Sequence, residues 1–186
     1  MPAKPRSFVA VVKAAERSLR AARIDHVFVG AVAVSAFGVP RTTADVDIIA
    51  GYHEGDVSKM ATSFRREGFR VSPEDLRDAV VEGSHATVHD ARSRLHLDLA
   101  PAGRARAKDA IRNAVRVRWR GIVLPIADPE HTIVMKLVYG SDQDLEDALG
   151  IYVRQKKRLD LPRMRAFART QGAVSALREL ERKAAR

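Results

Sequence analysis

Two aspartates stand one residue apart in the segment GVPRTTADVDIIA, residues 38 to 50. The alternation of Asp45 and Asp47 with Val46 and Ile48 predicts a β-strand, in which side chains two residues apart share a face. Burying a carboxylate is unfavourable unless cations, hydrogen bonds or a metal compensate its charge. Carboxylate oxygens are the ligands that Mg²⁺ prefers. The pair therefore indicates a divalent-metal site, and edge-strand aspartates that simply face water are the alternative.

A third carboxylate, Asp98, has the same kind of setting in SRLHLDLA. Leu95, Leu97 and Leu99 alternate with polar residues, so we expect a strand with one apolar face and Asp98 on the other. If this strand lies beside the strand of the aspartate pair, three carboxylates face one point. Such a group can hold two divalent ions about 3.5–4 Å apart, which clamp the attacking and leaving oxygens of a phosphoryl displacement.

The elements before the aspartate pair predict a phosphate-binding turn. The segment DHVFVG reads as a strand that ends at Gly30, and AVAVSAF reads as a short helix that follows at once. A glycine at a helix N-terminus lets backbone amides approach phosphate oxygens closely, and the helix dipole favours the anion. A turn marked by Gly38 and Pro40 then leads to the aspartate strand. Nucleotidyl transfer needs this layout, a phosphate site beside a metal site.

This arrangement resembles the nucleotidyltransferase superfamily with the DNA polymerase β fold, in the minimal form of the small AbiEii-toxin-related and MNT-type proteins. Its signature includes a glycine pair before a helix, a G-x-x-R-x-T-x-D-[IV]-D stretch and a third carboxylate on a later strand. The resemblance covers roughly residues 25 to 150. The matching positions are Gly30, Gly38, Arg41, Thr43, Asp45, Val46, Asp47 and Asp98, followed by Lys136, Asp144 and Asp147 on later helices.

The resemblance implies roles for the three carboxylates that agree with their chemistry. Asp45 and Asp47 would bind Mg²⁺, with Mn²⁺ as the alternative ion. Asp98 would complete the second metal site and help to deprotonate the acceptor hydroxyl. These three residues are the predicted catalytic and metal-binding set.

Four further residues are predicted to bind the nucleotide. By resemblance, the backbone at Gly30 and Ala31 holds the β and γ phosphates, and Lys136 neutralises charge on the triphosphate. An exposed helix lysine without such a role is the alternative for Lys136. Arg41 either contacts phosphate or pairs with an aspartate to support the turn. Ala31 stands where family members have Gly or Ser.

The pattern of the whole chain predicts an α+β nucleotidyltransferase core over residues 1–127 and a helical C-terminal region over residues 128–186. The core would be a small mixed sheet with flanking helices, including helices over residues 7–23, 54–67 and 72–83. Residues 114–127, AVRVRWRGIVLPIA, predict further strand. From Asp128 onward the apolar spacing is helical throughout.

The composition fits a reducing compartment and indicates either an anionic partner or an arginine-rich surface that is simply solvated. The formal net charge is +10 and there are no cysteines, which excludes thiolate zinc sites and disulfides. No apolar run reaches the ~18 residues of a membrane helix, so we expect a cytoplasmic protein without membrane contact. His85, His89 and His96 invite a zinc hypothesis, but they match no short metal motif. Only His96 is expected near the carboxylates.

These observations predict a Mg²⁺-dependent transfer of a nucleoside monophosphate from an NTP to an acceptor hydroxyl, with pyrophosphate released. The acceptor would be tRNA or another RNA, a protein or a small molecule such as an aminoglycoside. By family analogy the protein would be the toxin of a toxin–antitoxin pair, with a cognate antitoxin. The alternatives are an inactive protein of the same fold that binds nucleotide or nucleic acid, and a basic nucleic-acid-binding protein with incidental aspartates.

Overall fold

A mixed sheet with flanking helices forms the centre of the computed structural model, which describes residues 4–185. The strands are β1 (His26–Phe28), β2 (Asp45–Ala50), β3 (Phe69–Arg70), β4 (Ala86–Asp90), β5 (His96–Pro101), β6 (Val115–Trp119) and β7 (Ile122–Ile126). The helices are α1 (Phe8–Ala21), α2 (Gly30–Phe37), α3 (Val57–Arg66), α4 (Pro73–Glu82), α5 (Ala105–Arg112), α6 (Pro129–Tyr139), α7 (Asp142–Gln155), α8 (Leu161–Thr170) and α9 (Val174–Lys183).

The strand order of the sheet is β3-β4-β5-β2-β1-β7-β6. The pairs β2–β5 and β1–β7 are parallel, and the other pairs are antiparallel. In the parallel β2–β5 pair, Asp47 lies opposite Asp98 and Asp45 lies opposite His96. The adjacency that the three-carboxylate prediction required is therefore present.

The main core lies against the face of β2 that is opposite the aspartates. Val46, Ile48 and Ala50 are almost completely buried there, together with residues of α1 and α3 such as Leu19 and Phe64. Burying an aliphatic or aromatic side chain of this size contributes roughly 1.5–3 kcal/mol. The packing of this apolar face fixes the direction of the alternate side chains, which include both aspartates.

A second core joins the C-terminal helices to the sheet region. Ile133, Ile151 and Met164 of α6, α7 and α8 are fully buried in it, and Val34 of α2 belongs to the same cluster. The expected change to helices near residue 127 matches the end of β7 and the start of α6. The division into two domains stays a prediction, because α2 contributes to both cores.

Two parts of the sequence interpretation need correction or refinement. The stretch 114–127 is a hairpin of β6 and β7, and its turn at Arg120 and Gly121 has positive φ angles of 47° and 82°. Sequence analysis missed α5, which lies between β5 and β6. The expected helices around α1, α3 and α4 are present, and α1 begins at the predicted cap Ser7. Within residues 4–185 no helix is both long enough and apolar enough to cross a bilayer.

Candidate active site

The carboxylate centre lies on the β2–β5 pair. It consists of Asp45 and Asp47 on β2 and of Asp98 on β5, with the imidazole of His96 beside them. One ligand atom from each of Asp45, His96 and Asp98 lies within 4.8 Å of the other two. Asp47 lies opposite Asp98 in the strand register but is not a member of this group among the described residues. Carboxylate oxygens suit Mg²⁺ and Mn²⁺, and imidazole suits transition metals. The donor set therefore fits a divalent cation, and the cluster includes His96 as predicted.

The close approach of Asp47 to the start of α2 requires a glycine at position 30. Gly30 has a φ of +53°, and a Cβ built on it would lie 1.9 Å from Asp47 Oδ2. The neighbouring Val29 amide also donates to the Asp47 carbonyl at 3.0 Å, which holds the two segments together. The first turn of α2 and the aspartate-bearing face of β2 are thus in direct contact.

Burial raises the pKa of the Asp47 carboxyl above its ordinary value. The negative charges of Asp45 and Asp98 raise it further, while Lys136 and Arg41 offset part of the effect. A carboxylate with this environment is stabilised by a cation that replaces its lost hydration. The electrostatics of Asp47 therefore agree with the chemistry of a metal ligand.

Two threonine hydroxyls form hydrogen bonds with the carboxylates of Asp98 and Asp45. The Thr87 hydroxyl on β4 donates to Asp98 Oδ1 at 2.8 Å. The Thr43 hydroxyl donates to Asp45, which agrees with the structural role expected for Thr43 in the turn. Such partners restrict the rotamers of ligating carboxylates and so orient the site.

Lys136 and Arg41 converge on acidic residues of α7. Lys136 Nζ lies 2.5 Å from Asp144 Oδ1 and 3.1 Å from Asp147 Oδ2, and Arg41 Nε lies 3.1 Å from Asp147 Oδ2. Of the two roles predicted for Arg41, the structure shows the pairing with an aspartate. Lys136 is buried at 7 % exposure and is not an ordinary surface lysine. Both residues also line the cavity that contains the carboxylates.

The start of α2 has the geometry expected of a phosphate site. Its N-cap residue Val29 supplies no side-chain hydrogen bond, so the first amides of the helix lack a capping group. Gly30 and Ala31 line the cavity beside the carboxylates. Ala31 is 6 % exposed. The assignment of both residues to phosphate binding stays a prediction.

The cavity has a volume of about 620 Å³ and extends beyond the carboxylates. Its other residues include His85, Arg104, Arg106 and His131. Of the three histidines discussed above, only His96 was expected near the carboxylates, and none of these four residues was predicted to belong to the site. Within the described residues, the metal-ligating group contains one histidine, and the three-histidine zinc hypothesis has no support.

His131 is the most unusual of the missed residues. It is 6 % exposed, its ring stacks on Phe167 with centroids 4.9 Å apart, and its Nδ1 has no hydrogen-bond partner among the described residues. Burial lowers the pKa of this imidazole. Its only sequence signal is a lone histidine in the first turn of an otherwise apolar helix after the Asp128 cap.

Comparison with known proteins identifies the fold. The chain matches no protein-family model and no curated protein sequence. It is similar to the solution structure of the antibiotic-resistance factor ANT(2'')-Ia, with a TM-score of 0.57 and 15% identity over 95% of this chain and 100% of that one. It is also similar to the lincosamide antibiotic adenylyltransferase LnuA with bound lincomycin, with a TM-score of 0.55 and 10% identity over 80% and 98% of the two chains.

A third similar structure is a nucleotidyltransferase-like antigenic protein from Paracoccidioides brasiliensis, with a TM-score of 0.51 and 18% identity over 77% of this chain and 73% of that one. These identities establish a shared fold and nothing finer. The chain has the nucleotidyltransferase fold, as the sequence predicted. The AbiEii or MNT subtype stays a prediction.

Proposed function

We propose that this protein is a metal-dependent nucleotidyltransferase. It would transfer a nucleoside monophosphate from an NTP to an acceptor hydroxyl and release pyrophosphate. The observation that carries this proposal is that Asp45 and Asp98 lie together with His96, while Asp47 on the same strand pair approaches the uncapped start of α2. The fold shared with an adenylyltransferase supports the same reaction class.

Asp45, Asp47 and Asp98 would hold the divalent cations, with Mg²⁺ or Mn²⁺ as the ion. When bound, such cations neutralise phosphate charge and stabilise the entering and leaving oxygens. Asp98 would also take the proton of the acceptor hydroxyl as its oxygen attacks the α-phosphorus. The bond from the α-phosphorus to the bridging oxygen of the β-phosphate breaks, and pyrophosphate leaves. The Thr87 hydroxyl orients Asp98 for this proton transfer.

The first turn of α2 would bind the β and γ phosphates through the backbone at Gly30 and Ala31. Free amides at a helix N-terminus favour a phosphate group. Ala31 keeps its amide although it lacks the hydroxyl of a serine, so the backbone contribution survives. Lys136 would add positive charge from α6, where Asp144 and Asp147 hold its ammonium group.

The second candidate is an inactive protein of this fold that binds nucleotide, and Ala31 is the feature that favours it. A complete carboxylate set argues for catalysis, because three neighbouring carboxylates repel one another and have no evident structural role that would offset this repulsion.

An RNA, a protein or a small molecule is the proposed acceptor. A toxin role with a cognate antitoxin, and a cytoplasmic location, belong to the same proposal.

The test is transfer of label from each of the four α-³²P NTPs, with Mg²⁺, to cell extract and to total tRNA. The variant Asp45→Asn/Asp47→Asn is compared with Asp78→Asn/Asp142→Asn, which removes the same charge at two exposed aspartates outside the cavity. We expect transfer by the wild type and the control, and none by the site variant. Nucleotide binding without transfer by folded wild type would favour the inactive alternative.

A further inference from the structure

The part of the cavity beyond Asp98 differs in charge from the carboxylate centre. Among the described residues that line the cavity, the acidic ones are Asp45, Asp47 and Asp98. Beyond them the lining carries Arg104 and Arg106. A polycationic acceptor such as an aminoglycoside would find no carboxylate here apart from those proposed to hold metal. The charge favours an anionic acceptor.

The strand connectivity places this basic part on the acceptor side. β5 carries Asp98, the proposed proton acceptor, and continues through Pro101 directly into Arg104 at the start of α5. At the ordinary rise of a strand, Pro101 lies about 10 Å beyond Asp98. Helix α2 follows β1, which lies on the other side of β2 from β5 in the sheet order.

The two arginines are free to bind an external anion. Arg41 and Arg163 are paired with Asp147 and Asp128, whereas Arg104 and Arg106 form no ion pair within residues 4–185. Arg104 extends over the C-terminal turn of α4, where its Nη2 lies 3.8 Å from the position of a Cβ built on Gly83. Arginine presents a planar set of N–H donors that matches phosphate oxygens.

His131 gives an independent indication of a ligand in the same cavity. It is more than nine-tenths buried and lines the wall, and its Nδ1 lacks a partner within the described residues. Arg106 lines the same cavity as His131. Buried polar atoms without a partner are rare, and a catalytic role or a bound water, ion or ligand accounts for many of them.

We propose that Arg104 and Arg106 form an acceptor subsite for a phosphate group, with His131 beside it. This proposal rests on the proposed nucleotidyltransferase function, because it names the chemistry of that acceptor. The phosphate group can belong to an RNA end or to a small phosphate ester. An RNA end fits best, because its attacking hydroxyl and an upstream phosphate lie on different nucleotides, as Asp98 and Arg104 occupy different positions in the cavity lining.

The test measures binding of a fluorescein-labelled short single-stranded RNA to the protein by anisotropy. Binding of ribose 5-phosphate, the small ester, is measured separately by isothermal titration calorimetry. The variant is Arg104→Gln/Arg106→Gln. The matched control is Arg169→Gln/Arg178→Gln, which removes the same charge from exposed positions on α8 and α9 that do not line the cavity.

We expect the cavity variant to bind RNA at least about tenfold more weakly, and the control to bind like the wild type. The slope of log K against log salt should become shallower by about 1.4, from about 0.7 for each phosphate contact in a single strand. Binding of ribose 5-phosphate that depends on the two arginines, without binding of the RNA, would support the small-ester source.

Three results would overturn the subsite. They are equal weakening by both variants, no binding of either probe, and loss of binding of a non-hydrolysable NTP by the cavity variant, which would assign the arginines to the nucleotide. A failure of the proposed reaction can be distinguished from a failure of the subsite. RNA binding that depends on the two arginines, with no label transferred from any NTP, would keep the subsite and refute the transferase.

Discussion

At the scale of single residues, the contact between Gly30 and Asp47 is the most demanding feature of the candidate site. An added Cβ at position 30 would overlap Asp47 Oδ2, and the positive φ adds strain of about 1–2 kcal/mol. We expect Gly30→Ala to displace Asp47 and to weaken Mn²⁺ binding by about tenfold or more, in the range known for misplaced ligands. Electron paramagnetic resonance of free Mn²⁺ measures this binding.

Gly172→Ala is the control for the backbone strain alone. Gly172 has a φ of +71°, and a Cβ there would meet no atom within 4 Å. This variant should lose comparable stability and keep the Mn²⁺ affinity of the wild type. Unchanged Mn²⁺ binding in Gly30→Ala would contradict the role given to Asp47.

The raised pKa of Asp47 predicts that this carboxylate reduces stability when no metal is bound. Because its folded-state pKa lies above the unfolded value of about 3.9, the folded protein loses stability as pH rises between the two values, and the cost persists at neutral pH. Asp47→Asn should therefore raise the metal-free Tm at pH 7, by about 2–4 °C for each kcal/mol recovered.

The pH dependence gives the check. The difference in Tm between Asp47→Asn and the wild type should disappear below about pH 4, where Asp47 is protonated in both states. Saturating Mn²⁺ should raise the Tm of the wild type more than that of the variant. A lower metal-free Tm for Asp47→Asn at pH 7 would show that the carboxylate is stabilising and would contradict this interpretation.

The sequence was informative about residues wherever local spacing determines a side chain's direction. The period of two in a strand placed Asp45 and Asp47 on one face, and β2 confirms it. The Gly30–Asp47 distance and the partners of Lys136 depend on tertiary packing, which no spacing encodes. His131 was missed because a single histidine on a helix resembles a surface residue until the packing of α8 is known.

At the scale of elements, Lys136 joins α6 to α7 through two carboxylates. Burial acts to raise the pKa of Asp144, but hydrogen bonds from Lys136 and Ser141 outweigh it and hold that pKa below its ordinary value. Lys136→Met leaves Asp144 and the buried Asp147 without this cation. We expect a loss of about 3 kcal/mol in the free energy of unfolding at pH 7, measured by urea denaturation.

The control is Lys59→Met, which removes an ion pair of 2.6 Å to Asp56 from a lysine whose side chain is half-exposed. It should cost less than about 1 kcal/mol. The lowered pKa of Asp144 stabilises the folded protein at pH values above the unfolded-state pKa of about 3.9. This stabilisation is lost as the pH falls through the folded-state pKa. The difference between Lys136→Met and the wild type should therefore shrink below about pH 4. Equal losses in both variants would contradict the buried network.

Elements with strong caps or strong apolar patterns were predictable, and α5 was not. Ser7 and Ser72 cap α1 and α4 where the sequence indicated. α5 buries only small side chains such as Ala107 and Ala110 and has no capping side chain, so its sequence carries little helical signal. The turn between β6 and β7 was missed because Arg120 adopts a positive φ that arginine rarely takes.

At the scale of the whole molecule, ligand binding should stabilise the fold through the joined elements. A non-hydrolysable NTP with Mn²⁺ would contact β2, β5, α2 and α6 together. Binding at a hundred times the Kd adds about 2.7 kcal/mol to the stability of the native state. We expect a rise in Tm for the wild type and none for Asp45→Asn/Asp47→Asn. An equal rise in both would place the nucleotide elsewhere.

The long-range order of the sheet is the part that sequence patterns could not supply. β2 and β5 are parallel neighbours although β3 and β4 separate them in the chain, and nothing local specifies that pairing. The nucleotidyltransferase fold was predicted by resemblance of a short motif, and the similar solved structures agree with it. The net charge of +10 follows from the sequence. Only the structure shows that two of the positive charges, those of Arg104 and Arg106, line the cavity.

The most direct test of the central claim follows both ends of the triphosphate in one reaction. Parallel samples contain the same NTP labelled with ³²P at the α or the γ position, with Mg²⁺ and RNA. Nucleotidyl transfer predicts α label in the acceptor and γ label in pyrophosphate, with neither product from Asp45→Asn/Asp47→Asn. Label from the γ position in the acceptor, or α label transferred equally by the variant, would contradict the account.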